Sequence, residues 1–206
     1  MPLRESPMSD KNAAHIMRSA IQYQLLAFLI VLTCYFINGP AYPFIGNLIW
    51  LPLGAMSLCF LLFGFEVIIA VLLATQLAEF WFHGEPFFDQ ITLLRNVSGV
   101  IGPILAIASM RFFKLSNFFD GDKLIFHHLI FLVILTALLN TLIAFFVTSF
   151  IVSHDQNIDP INATQFLKNF LIGDILGCLI VLFFAALIVV PVIKYFFPKY
   201  IPKEEF

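Results

Sequence analysis

The 206 residues are 61% hydrophobic and only 12% charged, with a mean hydropathy of +0.96 and a net charge of −2. A soluble domain cannot expose so much apolar surface, so the composition points to an all-α integral membrane protein; at about 20 residues per crossing the chain holds roughly five to seven spans in one membrane domain. The weak charge balance, without a basic run away from the membrane flanks, gives no sign of nucleic acid, so no nucleic-acid partner is expected and the lipid bilayer is the first partner to expect.

Residues 1–19 read as a polar tail carrying Arg4, Lys11 and Arg18. They lack the small-residue cleavage pattern that follows the apolar core of a secretory signal. The membrane domain is expected over residues 20–196, and its first span over 22–38, stopped by Gly39-Pro40. A second span over 48–65 opens on Trp50, Pro52 and Gly54, with the proline in the first helical turn, where its missing N–H matters least. Gly64, Phe65 and Glu66 form a short joint, so the third span, 67–82, is expected to return antiparallel against the second, with Glu66 at the water edge.

The fourth span, 93–113, contains Gly99, Gly102 and Pro103, which suit close helix approach and a bend. A charged loop from Arg111 to Lys123 leads to the fifth span, 124–152, whose polar residues include His127, His128 and Asn140. Adjacent histidines on a helix point about 100° apart, so no metal site is expected there, and Asn140 reads as an interhelical hydrogen-bonding residue. The sixth span, 166–192, carries Asp174 between Gly173 and Gly177, and residues 197–206 form a second tail. Cys34, Cys59 and Cys178 all fall in apolar segments, where they pack as small hydrophobes.

Six spans with both termini in the cytoplasm give the best distribution of positive charge. Arg4, Lys11, Arg18, Arg111, Lys114, Lys123, Lys194, Lys199 and Lys203 then lie inside, and only Arg95 and Lys168 lie at the outer ends of spans. The triplet Asn162-Ala163-Thr164 falls on the outer side and has the form of a glycosylation acceptor, a pattern common by chance.

This topology brings Gln76, Glu79, Arg95, Asn96, Lys168 and Asp174 to the outer half of the bundle. A carboxylate inside a membrane helix costs roughly 2.5–3.5 kcal/mol on insertion scales and needs a partner, for which Arg95 or Lys168 is the natural candidate. Glu79, Arg95, Asn96, Lys168 and Asp174 are therefore the expected polar cluster, either a structural ion pair or an outward pocket for a small molecule. No nucleophile and base fall at a common depth, and no phosphate loop or metal-ligand spacing occurs, so neither catalytic activity nor a cofactor is expected.

The order Trp50, Pro52, Gly54, then Leu61 to Gly64, then Arg95-Asn96, then Gly173-Asp174 and Gly177 to Leu179, with Pro191 closing the last span, resembles the first membrane-associated sensor domain family of bacteria (MASE). The resemblance covers most of the chain. It implies a multi-span sensory input in the bacterial inner membrane, with Trp50, Pro52, Gly54, Asn96, Gly173, Asp174 and Gly177 in its characteristic core. Only twelve residues follow Lys194, so the signal is expected to pass to a separate cytoplasmic partner. Six short spans around a polar pocket are also similar to the substrate-binding components of energy-coupling-factor transporters, which would require an ATPase partner.

Overall fold

A computed structural model describes residues 10–40, 42, 46–84, 86–115, 126–154 and 161–189. The expected tail residues Arg4, Lys199 and Lys203, together with Lys123, Pro191 and Lys194, lie outside the described residues. Among the described residues six α-helices follow in order: α1 (Asp10–Asn38), α2 (Leu51–Phe63), α3 (Ile68–His83), α4 (Gln90–Phe112), α5 (Phe126–His154) and α6 (Ala163–Phe184). No strand occurs among the described residues. A 3₁₀ turn at Phe65–Val67 precedes α3, and a π-helical turn at Ala185–Val189 extends α6.

Five of these segments are long and apolar enough to cross a membrane, as in a multi-pass membrane protein: Ser19–Asn38, Phe65–His83, Gln90–Phe112, His127–His154 and Ala163–Ile188. Their surfaces agree with that environment. Leu25, Leu62, Ile69 and Phe146 stand exposed, while Ser57, Thr75, Gln76, Asn96, Thr136, Asn140 and Asp174 are buried. Large apolar side chains face outward while these polar groups are kept inside a largely apolar core, which is what an apolar solvent selects.

Helix ends follow local chemistry. Asp89 caps α4 by accepting from the Thr92 N–H at 2.8 Å, and Asn162 caps α6 by accepting from the Gln165 N–H at 3.1 Å. The asparagine of the glycosylation-like triplet thus has a structural role. Gln24 of α1 accepts from the Ala70 N–H at 3.2 Å and donates to the Glu66 carbonyl at 2.6 Å, serving the orphan groups where α3 begins. Glu66 itself is exposed.

The expected hairpin of second and third spans is corrected by this arrangement. α3 runs antiparallel to α2 but packs chiefly against α1 and α4, because Gly64 and the 3₁₀ turn carry the chain aside and Gln24 ties the start of α3 to α1. Phe36 near the end of α1 accordingly contacts Trp81 and Phe82 near the end of α3.

The helix expected over 48–65 is shorter than a span. α2 has 13 residues, about 20 Å at 1.5 Å per residue, against a hydrocarbon thickness of about 30 Å. It is also the most enclosed element, packed among α1, α4 and α6 with Pro52 through Ser57, Cys59 and Phe60 buried. Non-helical chain precedes it: residues 46–50 lie along α6, and the Trp50 N–H donates to the Gly173 carbonyl at 2.9 Å. Asn47 folds this segment, accepting from the Tyr42 N–H at 2.9 Å and donating to the Pro40 carbonyl at 3.1 Å. Irregular backbone beside apolar helices is stabilised when its polar groups are served in this way.

Glycines make that contact possible. A Cβ on Gly173 would overlap the Asn47 carbonyl oxygen, and one on Gly177 would overlap the Trp50 carbonyl oxygen. A Cβ on Gly54 would stand 2.7 Å from the Gly177 carbonyl oxygen. α6 continues without interruption through both of its glycines, which admit neighbouring backbone.

Candidate functional site

The upper end of the bundle, where α1 and α3 finish and α4 and α6 begin, holds two polar constellations around one cavity. The first centres on Asp174, 1% exposed. Asn140 of α5 donates its side-chain N–H to Asp174 Oδ2 at 2.8 Å, and the Thr141 hydroxyl lies 3.2 Å from the same oxygen. Gly102 of α4 allows α4 and α5 to meet at this level, since a Cβ there would lie 2.8 Å from the Asn140 Cα.

The expected charge partner is corrected here. Neither Arg95 nor Lys168 forms an ion pair with Asp174, and Lys168 is exposed on α6. Lys168 lies near the amino end of α6 and does not line the cavity. Two neutral donors replace the cation, and Asn140 is the interhelical hydrogen-bonding residue anticipated from its position.

The second constellation lies between α3 and α4. Arg95 approaches Glu79 at 3.6 Å, and His83, one turn beyond Glu79, approaches the same oxygen at 3.0 Å. Asn96 donates to Gln76 Oε1 at 2.7 Å, while Gln76 donates to the Phe87 carbonyl at 2.6 Å, which pins the turn before α4. Glu79 and Asn96 are each 8% exposed.

Between the two constellations lies a partly open cavity of about 110 Å³. Glu79, Arg95, Asn96, Asn140, Thr148 and Asp174 supply its polar wall, and Tyr35, Tyr42, Trp50 and Phe170 supply aromatic rings. Gly99 also lines it, with open space where a Cβ would stand. Trp50 is fixed edge-on against Tyr35 with ring centroids 5.3 Å apart, and Phe170 stacks on Phe166 at 4.0 Å.

One polar atom near this site is unserved: Asn140 Oδ1 is buried without a hydrogen-bond partner, as is Thr136 Oγ1 one turn away on α5. Among the described residues no group of three or more metal-ligating side chains converges. Of the anticipated cluster, Glu79, Arg95, Asn96 and Asp174 border the common space; of the motif residues, Trp50 borders it, while Gly54, Gly173 and Gly177 hold the chain behind it and Pro52 opens α2. Tyr35, Tyr42, Asn47, Thr141 and Thr148 were not legible as site residues, although Asn47 in an otherwise apolar uncharged loop was the available signal.

No protein-family model, no curated protein and no solved structure matches the chain.

Proposed function

We propose that the protein is a non-enzymatic, ligand-binding sensor module of the bacterial inner membrane, crossing it six times with both termini in the cytoplasm. The observation that carries this reading is a buried carboxylate, Asp174, held by neutral donors beside a partly open polar cavity. A structural ion pair alone would satisfy its own charge. Asp174 keeps a negative charge or a proton available to whatever occupies the cavity.

The charge distribution supports the orientation. Arg111 and Lys114 lie at the end of α4 opposite the cavity, which favours an outward-facing site and a cytoplasmic basic end. The ordered motif resembling the membrane-associated sensor domains supports the sensory role, and its residues Trp50, Gly54, Gly173 and Gly177 converge on one contact between α2 and α6. Occupancy of the cavity would act on residues 46–50, and through their fit against α6 on a separate cytoplasmic signalling partner. Coupling of this kind requires that the ligand favour one of two packings of that contact.

A second reading, the substrate-binding component of an ATPase-driven transporter, is favoured by one feature. α2 begins at the cavity after non-helical chain, as discontinuous helices do at transporter sites.

The test of ligand binding is thermal denaturation of detergent-solubilised protein against amines, amino acids, sugars, organic acids and vitamins. Gly99→Leu, which fills the cavity, serves as the comparison. At least one compound raises the melting temperature of the wild type saturably and leaves Gly99→Leu unmoved; stabilisation of neither protein by any compound contradicts the reading.

A further inference from the structure

Resting on the ligand-binding reading above, we propose that the occupant is a small organic cation, an alkylated ammonium, received by Asp174 and the aromatic wall. Charge is the first argument. Arg95 balances Glu79 at 3.6 Å, whereas the hydrogen bonds to Asp174 come from the uncharged Asn140 and Thr141. The charged side chains lining the cavity are Glu79, Arg95 and Asp174, so ionised Asp174 leaves a single negative charge for the occupant to complement.

The amino end of α2 does not supply the missing positive charge through free amides. The Trp50 N–H is taken by the Gly173 carbonyl, the Leu51 N–H by Asn38 Oδ1 at 2.9 Å, and Pro52 has none. An anion would therefore find no free donor at these positions, where helix starts ordinarily bind anions.

The second argument is the wall. Tyr35, Tyr42, Trp50 and Phe170 line the same space as Asp174. Several rings around a carboxylate favour a cation whose charge is spread over methyl groups, because the ring faces attract the charge while the methyls shed water at little cost. The third is size. A cavity of about 110 Å³ is comparable with the engineered cavity of about 150 Å³ that accepts benzene, and therefore with molecules such as tetramethylammonium or choline. A bare sodium ion would leave most of that space unfilled.

Binding of tetramethylammonium and choline to the detergent-solubilised full chain, followed by calorimetric titration and thermal shift, tests the proposal against 3,3-dimethylbutanol, the neutral isostere of choline, and against sodium. Saturable binding of the ammonium compounds, absent for the neutral isostere, is expected. Asp174→Asn, which still accepts from Asn140, weakens it about tenfold or more, and Tyr42→Leu at the exposed mouth weakens it about threefold. Equal binding of 3,3-dimethylbutanol, or an equal effect of sodium, overturns the ligand class while leaving a binding cavity in place. An anionic compound as the stabiliser does the same. Failure of every compound in the broader panel removes the cavity reading itself, so the two failures are distinct.

Discussion

Asn140 donates its side-chain N–H to Asp174 at 2.8 Å, joining the middle of α5 to the middle of α6. With Thr141 it supplies both hydrogen bonds to Oδ2. Removing the acceptor alone strands two donors. Asp174→Leu is therefore expected to lower stability by about 1–3 kcal/mol, measured by thermal or denaturant unfolding in detergent, with Asp174→Asn losing less. Replacing Asp174, Asn140 and Thr141 together with apolar residues recovers much of the loss, because no polar group is then left unpaired.

Lys168 provides the contrasting case. It is exposed, so Lys168→Ala changes stability by less than about 0.5 kcal/mol and does not rescue Asp174→Leu. Rescue in that double variant would restore the ion pair that the structure replaces with Asn140.

The helical glycines divide into two classes. Gly177→Ala drives a methyl group into the Trp50 carbonyl and is expected to cost about 1–3 kcal/mol, with Gly173→Ala similar. Gly99→Ala meets open space and gains helix propensity, so it is neutral or stabilising by up to about 1 kcal/mol while narrowing the cavity. Melting temperatures of the three variants check the ordering.

Asp89 supplies a dependence on pH outside the helical spans. The Thr92 backbone N–H holds its carboxyl below the ordinary aspartate value, chiefly through the capping hydrogen bond. A lowered folded value means that the cap's contribution is present above the unfolded pKa and is lost as pH falls through the folded one. Asp89→Ala should cost about 0.5–1 kcal/mol near neutrality, the low end for a cap because the group is only partly buried. The gap between wild type and Asp89→Ala closes with acidification below about pH 4; a gap that widens there contradicts the assignment.

The helical class and the position of the longer apolar helices were legible because an apolar run of about 20 residues has few other uses. Asp174 was legible for the complementary reason, a carboxylate inside such a run. Its partner was not. Sequence position gives depth along a helix but not the direction in which a neighbour faces, so the charged Lys168 and Arg95 were the natural candidates and Asn140 was read only as an interhelical hydrogen-bonding residue. The shortness of α2 was hidden because Leu48 and Ile49 are apolar whether helical or extended. The one local sign was Asn47, which serves this loop and lies against Gly173, but an asparagine alone does not tell such a loop from an ordinary external one. What glycine at 173 and 177 makes room for likewise shows only once the chain that fills the gap is placed.

Reactivity of a cysteine placed in the cavity tests the central claim most directly. In a background with Cys34, Cys59 and Cys178 replaced by alanine, Gly99→Cys should react with a trimethylammonium-bearing thiosulfonate faster than with its sulfonate counterpart. Asp174→Asn should narrow that difference, while Ala74→Cys in the packed core stays unreactive. No reaction at position 99, or equal rates with both reagents, would contradict a cavity that admits small polar molecules under the charge of Asp174.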